Sequence, residues 1–243
     1  LPHIGIADLL VENNKFCEFI EGFTPMVIRY SKPKFEQKSL IASLIAMGTY
    51  IGLGEMGEIS DINYSSLAST THSLIRLETL RLANDKVSNA ISKLAICKYY
   101  NIMDEIIHAS TDGSKIETMI DTFNARCSSK YFGVHKGVSA MTLLANHIPI
   151  NAKLIGAHEH ESHFIFDLLF NNTSEVRPDI LSTDTHGSNA VNFAILYLFD
   201  YVFAPEYIPI FPKMRDWCLL VDFNNDGIKD FFKNQYGPLK IKE

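Results

Sequence analysis

Apolar residues in the first hundred positions recur at helical spacing. Leu40, Ile41, Leu44, Ile45 and Ile51 form one stripe, and Gly52 and Gly54 close it. The uncharged run from Ser39 to Gly54 is sixteen residues long. Spanning a bilayer takes roughly 20, so the run predicts a buried helix. A second helix is predicted from about Ser73 to Cys97. Leu77, Leu80, Val87, Ile91 and Leu94 fall on one side of it, and Arg76, Lys86 and Lys93 can face water. Ser60 to Thr71, rich in Ser, Thr and Asn, predicts a loop between them.

From about Asn101 the apolar runs shorten and break at turn residues. Ile106 to Thr111 predicts a strand ending at Asp112-Gly113. Val138 to His147 and Ala152 to Ala157 predict adjacent strands separated by Asn-His-Ile-Pro. Phe164, Ile165, Leu168 and Leu169 mark a helix within Glu161 to Phe170. Asp179 to Thr183 predicts a strand ending at Asp184, Ala190 to Leu198 a helix, and Tyr207 to Ile210 one more strand. Strands alternating with helices point to a mixed α/β layer fold.

The 243 residues carry 22 Lys+Arg against 28 Asp+Glu, a net charge of −6. That balance speaks against a strongly basic nucleic-acid coat and leaves room for a local basic groove. Cys17, Cys97, Cys127 and Cys218 are far apart with no C-x-x-C, which predicts four reduced thiols rather than a zinc knuckle or disulfide framework. Leu1-Pro2-His3 reads like the middle of a longer sequence, and no charged segment followed by an apolar one opens the chain as a signal peptide would.

Two acidic residues stand where strands are predicted to end, Asp112 in Ser-Thr-Asp-Gly and Asp184 in Ser-Thr-Asp-Thr-His-Gly. Strand ends of α/β sheets are where sites form. Two carboxylates converging there repel, and a hard divalent cation relieves the repulsion through oxygen ligands. Taken singly, Asp-Gly also fits a hairpin turn and Asp184 a helix cap. Lys115, Arg126, Lys130 and Lys136 cluster near Asp112 with Tyr131 and Phe132 between them. That pattern fits contact with DNA phosphates and base stacking, or a solvated loop.

Three patterns fail on spacing. His158-Glu-His-Glu-Ser-His163 lacks the H-E-x-x-H of zincins. Asp222-x-Asn224-x-Asp226-Gly227 opens like a calcium loop, but Lys233 stands where its bidentate glutamate belongs. Asn171-Asn172-Thr173 is a glycosylation acceptor only in an exported chain.

Several strings, in order, resemble the Tn-three family of replicative transposases over nearly the whole chain. They are Leu40 to Gly54, Arg76-Leu-Glu-Thr-Leu-Arg81, Asp112-Gly113, Asn124-Ala-Arg126, Ser129-Lys-Tyr-Phe-Gly133, His160-Glu-Ser-His163, Thr183-Asp-Thr185 and Phe203-Ala-Pro205. Glu206 departs from the Arg with which the family often continues.

The resemblance implies a partial ribonuclease-H-like mixed sheet with flanking helices (residues 101–243), preceded by an all-helical segment (residues 1–100). It implies an Asp-Asp-Glu triad in which Asp112 and Asp184 match the two aspartates as catalytic residues and metal ligands. The third carboxylate is expected beyond Glu243, so neither Glu243 nor Glu206 is assigned. Glu159 or Glu161 is a minor candidate for a place near the metals, as a helix carboxylate occupies in ribonuclease H. The activity implied is two-metal phosphoryl transfer with Mg2+ (Mn2+ as substitute), cutting transposon 3′ ends and joining them to target DNA. Double-stranded DNA and a homo-oligomer on it are the implied partners, with no membrane and a bacterial cytoplasmic, nucleoid-associated location. Without the third carboxylate this stretch alone is expected not to cleave DNA, and the alternative is an inactive remnant that only folds or binds.

Overall fold

The computed structural model describes residues 3–26, 36–101, 105–120 and 122–206. The predicted strand Tyr207–Ile210, the Asp222 loop, Cys218 and Glu243 lie outside them. Five α-helices come first: α1 (Ile6–Cys17), α2 (Gln37–Gly48), α3 (Leu53–Ile59), α4 (Tyr64–Leu74) and α5 (Leu77–Ser92). None of the described helices is long and apolar enough to cross a membrane. Phe19, Phe23, Leu40, Leu74 and Ala83 form one buried cluster, and Ala46, Met56 and Leu67 a smaller one.

Three predicted boundaries move. The Leu40 stripe ends at Gly48, because the chain reverses through left-handed Tyr50 (φ 61°) and Gly52 (φ 83°). Gly54 therefore lies inside α3. The Ser/Thr-rich stretch is not a loop but α4. Asn63 caps it, its side chain accepting the Ser66 N–H at 2.8 Å, and Leu67 and Leu74 anchor it in the interior. In α5 the residues buried are Thr79, Ala83, Asp85 and Ser88, whereas Leu77 and Leu80 are exposed. Hydrogen bonds across space set that orientation. Asn84 and Ser88 donate to the Pro149 carbonyl at 2.9 and 2.8 Å, and Asp85 accepts the Thr173 hydroxyl at 2.6 Å. A short 3-10 turn, Ala95–Tyr100, follows.

The sheet contains β1 (His108–Glu117), β2 (Arg126–Cys127), β3 (Lys136–Ala145), β4 (Ile148–Gly156), β5 (Ile180–Thr183) and β6 (Val202–Phe203). Its order is β4-β3-β1-β5-β6, with β2 pairing the start of β3. β3 pairs antiparallel with both β1 and β4, whereas β5 pairs parallel with β1 and β6 parallel with β5. Three short helices complete the fold: α6 (Ser129–Phe132), α7 (Ile165–Phe170) and α8 (Ala190–Leu198).

The β3–β4 turn uses only Asn146 and His147, both at positive φ, so Ile148 and Pro149 already belong to β4. β1 does not stop at Asp112-Gly113. β3 supplies partners as far as Glu117↔Gly137, and the strand continues through the Asp-Gly pair. The core lies on one sheet face, where Ala109, Met141, Leu143 and Leu181 meet Leu168 and Leu169 of α7 and Leu196 of α8. The alternate residues of β1, namely His108, Ser110, Asp112 and Ser114, face the other side.

Candidate catalytic site

β1 and β5 run parallel with His108↔Ile180, Ala109↔Leu181, Ser110↔Ser182 and Thr111↔Thr183. The offset is constant at 72 residues over these four pairs, and Asp112 and Asp184 are the residues that follow the last of them. Neighbouring strands lie about 4.8 Å apart. The two residues reach this row differently. Asp112 is in mid-strand, which rules out the hairpin-turn reading. Asp184 is where β5 stops, and it caps the turn Thr185–Gly187.

Each carboxylate commits one oxygen to a backbone N–H. Oδ1 of Asp112 accepts from Gly113 at 2.8 Å, and Oδ1 of Asp184 from Gly187 at 3.1 Å. The second oxygen of each is left without a protein partner among the described residues, and both residues are exposed. Two carboxylates with free oxygens fit Mg2+, which keeps several waters and is held by one or two carboxylates. No group of three or more His, Cys, Asp or Glu capable of holding a metal occurs among the described residues. Glu206 follows β6, is exposed, and donates its N–H to the Thr183 carbonyl at 2.8 Å.

The covered face of β1 carries a second polar group. Lys115, three residues past Asp112, points to the opposite side of the strand. Its ammonium pairs with Oε1 of Glu161 at 2.8 Å, and the Ser139 hydroxyl donates to the same oxygen at 2.7 Å. The Glu161 carboxylate rests against Gly113, where a Cβ would overlap it. Burial pushes the Glu161 carboxyl up. The bonds from Lys115 and Ser139, with the charges of Lys115 and His160, outweigh this and hold it below the ordinary 4.5.

Glu161 therefore sits beneath β1, on the side away from Asp112, and Glu159 lies beside His158. The sequence signal for Glu161 was only an acid at a helix start; its Lys115 and Ser139 partners come from other strands.

The four candidate DNA-contacting cations come from four elements, Lys115 from β1, Arg126 from β2, Lys130 from α6 and Lys136 from β3. Lys115 has a side chain only 16% exposed and is ion-paired with Glu161. Lys115 and Lys130 lie 5.4 and 4.9 Å from the centre of the Tyr131 ring. Arg126 donates to the carbonyls of Phe123 and Ala125 at 2.8 and 2.9 Å. Lys136 opens β3, half-buried, opposite Cys127. The rings of His160 and His163 lie 5.5 Å apart at a tilt of 34°, while His158 is beside Glu159. In the sugar-acceptor sequence the acceptor, Asn171, is exposed and its amide donates to the carbonyl and carboxylate of Asp167 at 3.0 and 2.7 Å, whereas Asn172 is buried and donates to the Val176 carbonyl at 2.8 Å. Cys17, Cys97 and Cys127 are free thiols.

An antiparallel three-strand half joined at β1 to a parallel half, with helices before and around it, makes this a ribonuclease-H-like mixed α/β fold. The chain belongs to the family described as Tn3 transposase DDE domain, whose model matches residues 8–215. It is 22% identical over 219 residues to the transposase for transposon Tn4556 of Streptomyces fradiae, covering 89% of this chain and 24% of that protein. It is 26% identical over 214 residues to the transposase for transposon gamma-delta of Escherichia coli K12, covering 85% and 21%. The chain thus spans less than a quarter of these relatives' length. Among solved structures, a piggyBac transposase synaptic complex with hairpin DNA aligns with a TM-score of 0.42 at 11% identity, covering 87% of this chain and 54% of that one. A Mos1 strand transfer complex aligns with a TM-score of 0.28 at 13% identity, covering 88% and 74%.

Proposed function

We propose that this chain is the part of a Tn3-type DNA transposase that carries the first two catalytic carboxylates, Asp112 and Asp184. In the whole protein it serves to cut transposon 3′ ends and join them to target DNA. The observation that supports this reading is the 72-residue offset held over four pairs of β1 and β5, with Asp112 and Asp184 the next residue after the last pair on each chain segment.

Asp112 and Asp184 would hold Mg2+, with Mn2+ as a substitute. When bound, such ions activate the attacking hydroxyl and stabilise the leaving oxygen of a phosphodiester. The protein's own part is positioning. The Gly113 and Gly187 N–H groups each fix one carboxylate oxygen and leave the other turned to the ligand. Lys130, Arg126 and Lys136 contribute to contact with the DNA backbone. The helical stretch to residue 100 and the sheet-bearing remainder act as two units. The protein works as a homo-oligomer on DNA in the bacterial cytoplasm, a reading supported by the bacterial transposases it resembles.

Calorimetric titration of Mn2+ into the purified chain tests the site. Asp112→Asn and Asp184→Asn should each weaken binding by about tenfold or more, the order expected when a metal ligand or its support is lost. Mn2+ affinity unchanged in both variants would remove the basis of the proposal.

A further inference from the structure

The open face of the sheet leads away from Asp112 as well as toward it. Asp112 of β1 pairs with Thr142 of β3, and Thr142 pairs with Ala152 of β4. Paired residues point to the same face. A cavity of about 470 Å³ borders this row at Ala140, Thr142, Ala152 and Leu154 and continues around the free edge of β4 to Lys153 and α7. α5 supplies Leu77 and Arg81, one turn apart, and the segment before β2 supplies Asn124.

Arg81 is half-buried, and its guanidinium makes no hydrogen bond or ion pair with any described residue. The carboxylate of Asp167 also borders the cavity, but Lys153 is its partner. An always-charged planar fork held at a groove without a counter-ion is matched by an anion that offers two acceptor oxygens side by side, such as a phosphate. The row from Asp112 to Ala152 spans two strand spacings, roughly 10 Å.

We infer that this groove is a phosphodiester subsite: Arg81, with Asn124, holds a backbone phosphate of the DNA strand whose reacting phosphate lies at Asp112 and Asp184. The inference rests on the transposase reading above. It adds a specific DNA contact from α5, outside the sheet that bears the carboxylates.

The test is fluorescence anisotropy with a fluorescein-labelled duplex carrying a 3′ single-stranded overhang, titrated at several salt concentrations. Arg81→Ala should weaken binding about tenfold at low salt and lower the slope of log affinity against log salt by about one unit, as expected for one lost phosphate contact. Arg81→Lys should keep the slope. Leu154→Glu places a like charge on the cavity floor at a position already 54% exposed, and should weaken binding without disturbing the fold. It decides the matter if Arg81→Ala fails to fold. Normal affinity and slope in Arg81→Ala and Leu154→Glu, with the unmodified chain binding, would overturn the groove and leave the Asp112–Asp184 reading to its Mn2+ test. No binding of this probe by the unmodified chain would overturn the groove and count against the parent reading as well.

Discussion

Asp112 and Lys115 lie on one strand three residues apart, and the pleat sends them to opposite surroundings. Asp112 is exposed with a free oxygen, whereas Lys115 is locked under the strand by Glu161 and Ser139. Glu161 binds its proton less readily in the folded chain than at the ordinary 4.5, so near that value the unfolded chain holds more protons. Its contribution to stability is complete above 4.5 and is lost as the pH falls through the lowered value. Glu161→Gln should cost about 1–3 kcal/mol at pH 7, the scale for removing one partner of a partly buried charged pair. The deficit should shrink as both proteins are acidified below pH 4.5, measured by urea unfolding at each pH. A deficit that persists at acid pH would mean the carboxylate does not act through its charge. Gly113→Ala should also destabilise, because the added methyl meets that carboxylate directly.

At the scale of elements, α4 is held by Asn63 at its N-terminus, by two buried leucines, and by bonds from Met26 and Thr79 to its last carbonyls. Asn63→Ala should destabilise it by about 1 kcal/mol, seen as a lower midpoint in urea with the slope unchanged. This helix also marks what the sequence could and could not reveal. Its Ser and Thr residues have weak helix preference, and only tertiary burial of Leu67 and Leu74 overrides it. Segments with a dense apolar code, such as β3, β5 and α8, were legible to within a few residues. β1 was cut short in the reading because Asp-Gly usually marks a turn. It continues because β3 lies alongside with a full ladder of partners. For the candidate site, the residue types at positions 112 and 184 were visible. The Glu161 clamp and the Arg81 groove were not, because each joins side chains from elements distant in sequence.

Across the whole molecule, the helices meet the sheet through a polar seam. Pro149 sits on the edge strand β4, and its carbonyl receives both Asn84 and Ser88. Asp85 and Asn89 of the same helix bind the loop at Thr173 and the Glu175 N–H. Such a seam orients α5 through directional bonds, beside the apolar contact that Ile91 makes with the sheet's core. If α5 lends Arg81 to the sheet's open face, its position along β4 matters, and Asn84 and Ser88 fix that position one and two turns further on. Replacing both by alanine removes two hydrogen bonds of about 1 kcal/mol each. Amide exchange should then quicken by about tenfold or more in α5, while the β1–β3 ladder stays as protected as before. Mass spectrometry on the intact chain reads both regions in one experiment. Equal acceleration in α5 and β1 would instead mean that helices and sheet open as one cooperative unit, so the seam could not shift the groove independently of the carboxylates.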